Sequence, residues 1–120
     1  MKESQNPASV QPQVTATEWQ LRVDLAAFLR MVAEYGWDDL LLAHISARLP
    51  DENAYLVNPY GLLFGEITAS SLLKVDFAGR KLLPSDYEIS PEANVIHGAL
   101  LEARPDVNCV AHVHTIAGMA

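Results

Sequence analysis

Two histidines near the end of the chain carry the clearest chemical signal in the sequence. His112 and His114 are separated by a single valine. On a β-strand, residues two apart project from the same face, so both imidazoles could share one divalent metal ion at about 2.0–2.1 Å from each ring nitrogen. The same pattern also fits two polar residues on the solvent side of a half-buried strand. The spacing by itself leaves both interpretations open.

Two further histidines could complete a site. A catalytic zinc ion normally has three protein ligands, and His97 lies on the helix predicted just before this strand. A helix histidine beside Ile96 and Ala99 is, however, more often a hydrogen-bonded core or interface residue. His44 follows an apolar run and shares a strand face with Ser46, so it is predicted either to line a substrate pocket or to be a satisfied buried histidine.

Two other reactive side chains have a functional and a structural interpretation. Glu92, at the start of the last predicted helix, could act as a general acid or base, but an exposed carboxylate that favours the helix dipole is the preferred interpretation. Cys109 is the only cysteine, which excludes an internal disulfide. Because it lies in an apolar run, a buried thiol serving as a small hydrophobe is preferred over a nucleophile.

The hydrophobic pattern predicts the elements that position these side chains. Residues 1–14 have no periodic apolar pattern and are predicted to be a disordered tail, which leaves 15–120 as one domain. A capping box of Thr15 and Glu18 predicts the start of the first helix, and Gly36 predicts its end. The apolar stripe of this helix contains Leu21, Leu25, Phe28, Val32 and Tyr35.

Short strands separated by proline- and glycine-rich turns are predicted next. They fall within 40–48, 55–57, 74–77, 81–83 and 107–113, with a short helix over 68–73 capped by Thr68. The last full helix is predicted to start at Ser90, before a proline, and to end at Arg104. Its apolar face contains Val95, Ile96, Ala99, Leu100 and Ala103. This order of elements predicts a β-meander with one helical insertion, and residues 115–120 are predicted to begin another helix.

The composition excludes several classes of partner. The 120 residues carry a formal charge of −7, so the field of the molecule repels nucleic-acid phosphates and anionic membrane surfaces. Half of the residues are apolar, as in a folded globular chain. No apolar stretch reaches the roughly 18–20 residues of a membrane span, and the N-terminus lacks the apolar core of a signal peptide. We therefore expect a cytoplasmic protein.

Several separated segments resemble the class II aldolase/adducin family. They are GWDDL at 36–40, HISAR at 44–48, NPYGLLF at 58–64, EITASSL at 66–72, ARPDV at 103–107 and HVHT at 112–115. The resemblance runs from about residue 18 to the end. It implies an α/β fold with three α/β/α layers around a mostly antiparallel sheet, whose C-terminal part is missing from this chain. It also implies a homotetramer with active sites between neighbouring subunits.

The resemblance assigns roles to several residues. His112 and His114 match two ligands of a divalent metal, commonly Zn²⁺, which as a Lewis acid stabilises the enediolate formed when a sugar phosphate is cleaved or epimerised. The family's third ligand would lie beyond Ala120, so the chain is expected to be inactive as it stands. Ala93 occupies the position of the acid/base glutamate, and Glu92 lies about 100° away around the helix.

The phosphate-binding positions of sugar-phosphate members also differ here. His44 stands where they have asparagine, and Pro91 and Glu92 stand where they have a serine pair. The loop glycine, Gly61, is retained. His44 and Gly61 are therefore predicted to bind a small non-phosphorylated carbonyl or hydroxy acid, as in a metal-dependent lyase of an adducin-like bacterial type. The alternative is a non-catalytic, adducin-like oligomerisation or scaffolding domain.

Overall fold

A four-stranded antiparallel sheet with helices on both faces forms the part of the chain that the computed structural model describes, residues 9–37 and 43–113. The elements are α1 (Ala16–Glu34), β1 (His44–Arg48), β2 (Ala54–Val57), β3 (Leu73–Asp76), α2 (Pro91–Ala93), a π-helical turn (Asn94–Gly98), α3 (Ala99–Ala103) and β4 (Cys109–His112), with 3-10 turns at Gln11–Gln13 and Phe64–Glu66. The strand order is β3-β2-β1-β4. This arrangement confirms the predicted three-layer α/β class and the antiparallel sheet.

The core is divided in two by the alternation of side chains along the strands. On one face, α1 packs against a cluster that includes Ile45 and Leu56. On the other face, Leu101 of α3 packs against Tyr55 and Val57. We call α2, the π-helical turn and α3 together the π-bulged helix. Since His44 and Ser46 alternate with Ile45 on β1, they face the π-bulged helix rather than α1.

Helix α1 begins where the sequence predicts, but its buried face differs from the predicted stripe. Thr15 Oγ1 accepts a hydrogen bond from the Glu18 amide at 3.1 Å, and the chain leaves the helix through Gly36 with φ +70°. Phe28 and Tyr35, two members of the predicted stripe, are 39% and 65% exposed, so the buried face coincides with the stripe only in part. The buried residues are Glu18, Arg22, Leu25, Ala26, Leu29 and Val32.

A buried ion-pair network accounts for the two charged residues, Glu18 and Arg22, on the buried face of α1. The Glu18 carboxylate does not close the capping box; instead it accepts hydrogen bonds from Arg22 Nε and Lys74 Nζ, both at 3.0 Å. Arg22 Nη1 also donates to the carbonyls of Ala69 and Leu72 at 3.0 Å each. Because Glu18 and Arg22 are almost fully buried, the network ties α1 to the segment that leads into β3.

The helix predicted over 68–73 is wrong. Thr68 Oγ1 accepts from the Ser71 amide at 3.1 Å, and Ser71 Oγ accepts from the Thr68 amide at 2.9 Å. These side-chain bonds close a turn and take the place of helical backbone bonds. Leu73 already pairs with Val57 in the sheet, so no room remains for a helix.

Several other boundaries shift. Residues 81–83 do not form a strand and contribute one isolated bridge, from Lys81 to Val75. Within the predicted tail, Val10 donates its amide to Ser70 Oγ at 3.2 Å ahead of the first 3-10 turn. Residues 1–8, the start of the strand predicted from residue 40 and the helix predicted at 115–120 lie outside the described residues.

The π-bulged helix has the predicted ends but presents the opposite face to the core. Ser90 Oγ accepts from the Ala93 amide at 3.3 Å, and the helix ends at Ala103. The predicted apolar face is exposed, as Val95 at 68% shows, and the buried residues are Ala93, His97, Gly98 and Leu101. A Cβ atom on Gly98 would lie only 2.6 Å from the Phe77 carbonyl oxygen, so the helix meets the turn after β3 backbone to backbone.

Arg48 fixes the end of this helix to the sheet. Its guanidinium donates to the carbonyls of Leu101, of Arg104 at 3.0 Å and of Val107 at 2.9 Å, and it stacks 5.5 Å from the centre of the Phe77 ring. A cation that donates to the last carbonyls is one way to satisfy a helix C-terminus. None of the helices in the described ranges is long and apolar enough to cross a membrane.

Replacing Arg22 with alanine should lower the free energy of unfolding by about 3–5 kcal/mol, because the change leaves a buried carboxylate without its main partner and two carbonyls without donors. Urea unfolding followed by circular dichroism measures this loss. Arg80→Ala is the matched control, since Arg80 pairs with Asp76 while its own side chain is 82% exposed, and we expect a loss below about 1 kcal/mol. Equal losses in the two variants would contradict a buried network.

Candidate functional site

A continuous line of hydrogen-bonding side chains runs from the core to the end of β4. Its members, which we call the polar chain, are Ser46, His97, His44 and His112. Ser46 Oγ lies 2.5 Å from His97 Nδ1, and His97 Nε2 lies 2.6 Å from His44 Nδ1. His44 Nε2 in turn lies 3.1 Å from His112 Nδ1. Both nitrogens of His97 and of His44 therefore face another member of the polar chain.

Strand register and the π-helical turn bring these residues together. His44 and His112 are directly opposite each other in the antiparallel pair β1–β4, and Ser46 lies two residues along β1 on the same face. His97 reaches both from the π-helical turn. The start of β1 is held by Asn58, whose side chain accepts from the Ile45 amide at 2.9 Å.

Burial divides the polar chain into an inner and an outer part. Ser46 and His97 are fully buried, His44 is 4% exposed, and His112 is exposed at the end of its strand. The His44 ring meets the rings of His97 and His112 edge to face, with centroids 4.8 and 4.5 Å apart. Of the four members, His112 is therefore the one that a bound ion could reach.

Burial also keeps His97 uncharged. The pKa of His97 is lowered to about 4, first because burial disfavours the imidazolium form and then because positive charge on His44 or His112 would repel it. Near neutral pH this ring is therefore neutral, with one donor and one acceptor nitrogen.

His112 fits the role of a metal ligand. It offers an imidazole at the exposed end of β4, and His44 contacts its Nδ1, as ligating histidines are usually contacted at the ring nitrogen that does not bind the ion. His114 lies outside the described residues, and within 9–37 and 43–113 no group of three His, Cys, Asp or Glu could hold an ion. His97 is the hydrogen-bonded core histidine rather than a third ligand, because its two nitrogens face Ser46 and His44.

Of the other predicted site residues, one is buried and the others face solvent. His44 is enclosed by the polar chain, and Gly61 lies in an exposed bend with φ +97° and open space around it. Glu92 is on the exposed side of the π-bulged helix, with Oε2 3.5 Å from Ser90 Oγ, whereas Ala93 is buried against the sheet. Substrate binding by His44 and Gly61 and acid/base chemistry by Glu92 remain predictions.

The prediction that Cys109 is buried is wrong. The side chain is exposed because β4 is the outermost strand of the described sheet. Partial desolvation nevertheless raises the pKa of its thiol, which disfavours the thiolate form that a nucleophile needs.

Sequence reasoning missed the pairing of Ser46 with His97. The available signal was that His44 and Ser46 share a face of β1. The π-helical turn that places His97 above them has no recognised sequence signature, although such turns occur frequently at functional sites.

Comparison with known proteins gives a consistent picture. The family model for the class II aldolase and adducin N-terminal domain matches residues 23–120. A candidate aldolase class 2 protein of Pseudomonas aeruginosa is 60% identical over 114 residues, which are 95% of this chain and 44% of that protein. Alpha-adducin of Rattus norvegicus is 40% identical over 103 residues, covering 83% of this chain and 14% of adducin.

A solved structure agrees with these relatives. The aldolase II superfamily protein from Pseudomonas syringae superimposes with a TM-score of 0.87 and 43% identity, over 93% of this chain and 46% of that one. The chain therefore spans less than half the length of the bacterial relatives that it matches.

Lowering the pH from 7 to 4.5 should destabilise the fold through His97. Its pKa of about 4 in the folded chain is below the ordinary value of 6.5, so the unfolded chain binds the extra proton first. The contribution of His97 to the free energy of unfolding is therefore fully present above about pH 6.5. It falls as the pH drops toward 4, by on the order of 2–3 kcal/mol.

Urea unfolding at several pH values measures this dependence. Carboxylates titrate in the same range, so the test is the difference between the wild-type chain and His97→Gln, which removes the titrating ring. The variant should be less stable at pH 7 and should have a shallower slope between pH 4.5 and 6.5. Parallel slopes would mean that His97 does not titrate below its usual range.

Proposed function

Because the chain belongs to the class II aldolase and adducin family, we propose that its domain binds a divalent metal ion, Zn²⁺ foremost, through His112 and His114. The observation that carries this proposal is the His112 ring, which stands exposed at the end of β4 with its Nδ1 held by His44. An ion bound by this ring would use Nε2, and His44 would orient the ligand from behind. A third ligand would come from a part of the protein beyond the residues described.

In the whole protein we propose a carbon–carbon lyase of the aldolase type. The metal would supply Lewis-acid stabilisation of negative charge on a substrate oxygen. A small carbonyl compound or hydroxy acid without phosphate is the favoured substrate, since the net charge is −7 and Glu92 stands at the start of the π-bulged helix. Gly61 would let such a substrate approach the backbone. We propose that the whole protein is a cytoplasmic homotetramer.

Within the π-bulged helix, Glu92 is only a weak candidate for the acid/base residue of this lyase. Ala93 has no proton to transfer, and Glu92 faces away from the buried side on which His97 lies. A better placed proton carrier would therefore have to come from another segment or another subunit. By itself the chain is expected to bind metal without turning over substrate.

A second candidate function, a non-catalytic assembly domain, has its own support. Val95, Ile96 and Leu100 leave an apolar strip on the outside of the π-bulged helix, each at least 39% exposed. Exposed apolar strips of this kind commonly mark protein interfaces. The relationship to alpha-adducin is compatible with this alternative, in which the fold assembles without an ion.

Zinc titration of the purified chain by isothermal calorimetry tests the first function. We expect one ion per chain in the wild type and loss of binding in the His112→Ala/His114→Ala double variant. Cys109→Ser is the matched control, because the exposed thiol is the obvious competing ligand, and it should leave the affinity unchanged. Binding that survives the double variant would refute the histidine site, and no binding in any chain would favour the assembly domain.

Ile96→Glu tests the second function. Since Ile96 is 43% exposed, the fold should survive the change, while a charge in an apolar interface should weaken self-association at least tenfold. Sedimentation equilibrium measures the mass, and Phe28→Glu, exposed to a similar extent on α1, is the control. An unchanged mass distribution in Ile96→Glu would exclude this strip as the assembly surface.

A further inference from the structure

We infer that Ser46 and His97 are positioning residues that determine which ring nitrogen of His112 carries the proton. The described contacts do not join either of them to His112 by a hydrogen bond; both act through His44. The inference concerns the polar chain itself, and its consequence for metal binding rests on the proposed function.

The polar chain allows only two proton arrangements. A neutral imidazole has one donor nitrogen and one acceptor nitrogen, so a proton on one side of a ring forces an acceptor on the other. If His97 carries its proton on Nε2, it donates to His44 Nδ1, and His44 must then donate from Nε2 to His112. In the opposite arrangement every donor is Nδ1. When all three rings are neutral, they are therefore all Nε2–H or all Nδ1–H.

Ser46 selects between these arrangements. Its hydroxyl is fully buried, and within the described residues its only hydrogen-bond partner is His97 Nδ1. A buried hydroxyl proton without an acceptor is costly, so Ser46 donates and His97 accepts at Nδ1. It follows that His97, His44 and His112 all carry the proton on Nε2 when no ion is bound.

This selection opposes metal binding at His112. An ion that binds through Nε2 needs that nitrogen without its proton, while His112 Nδ1 still faces His44. The bond to His44 then survives only if the whole polar chain reverses, which leaves the hydroxyl proton of Ser46 without its acceptor. The apparent affinity of His112 for the ion is therefore lower than its intrinsic affinity, because only the fraction of molecules in the reversed arrangement can bind. The buried Ser46 hydroxyl thus lowers the apparent affinity of the site for the ion.

The proton positions can be read by long-range ¹H–¹⁵N correlation of the ¹⁵N-histidine-labelled chain at pH 7.5. Without zinc we expect all three rings of the polar chain in the Nε2–H form. With zinc bound, the His97 ring should switch to Nδ1–H although it does not touch the ion. Rings of the metal-free chain found in different tautomers would overturn the inference.

The Ser46→Ala variant tests the effect of Ser46 on zinc affinity by a separate measurement. Without the donor, the metal-free rings should lose their uniform Nε2–H form, and zinc should bind about tenfold more tightly because the competent arrangement is no longer rare. Ser71→Ala, at another buried serine whose side-chain hydrogen bonds within the described residues all go to Thr68, should leave the zinc affinity unchanged.

Equal or weaker zinc binding by Ser46→Ala than by the wild type would overturn the inference. Absence of zinc binding in the wild type would instead refute the proposed function. In that case the metal-free spectra of the wild type and of Ser46→Ala would still decide whether Ser46 sets the proton arrangement.

Discussion

The hydrogen bond between His44 and His97 joins the sheet to the π-bulged helix where both rings are almost fully buried. A buried imidazole needs a partner for each nitrogen, and each ring supplies one partner of the other. Ser46 Oγ contacts the remaining nitrogen of His97, and His112 Nδ1 contacts the remaining nitrogen of His44. The depth and rotation of the helix over β1 are therefore set by polar geometry as well as by apolar packing.

The backbone of the helix is adapted to this constraint. Gly98 lets it approach the Phe77 carbonyl, and the π-helical turn rotates His97 toward Ser46. Arg48 then holds the C-terminal end in place through its carbonyl bonds. Together these contacts explain why the side of the helix that carries Ala93, His97, Gly98 and Leu101 is buried, while the side that carries Val95, Ile96 and Leu100 faces outward.

The sequence is sufficient for features that depend on neighbouring residues. The Thr15 and Ser90 caps lie where predicted, and the antiparallel meander follows from short turns between strands. It fails where partners come from distant segments. Hydrophobicity alone assigns Val95 to the core, because nothing local indicates that His97 will be satisfied by residues some fifty positions away. The exposure of Cys109 likewise depends on the position of β4 in the sheet.

For the candidate site, the sequence identifies residue types better than it identifies roles. The spacing of His112 and His114 is visible in the chain, whereas the support of His112 by His44 needs the β1–β4 register. Glu92 and Ala93 show the same limit, since which of two adjacent helix residues is buried depends on the rotation of the helix against the sheet.

The π-helical turn has a consequence for changes in chain length. A π turn holds one residue more than an α turn, so deleting one residue between Asn94 and Gly98 would leave an ordinary helix with both ends in register. The Ser90 cap and Leu101 could keep their places while the imidazole of His97 left the sheet. A one-residue deletion could thus remove the buried polar chain and keep the architecture of this domain. Lineages could lose or gain the polar chain in this way without changing the rest of the fold.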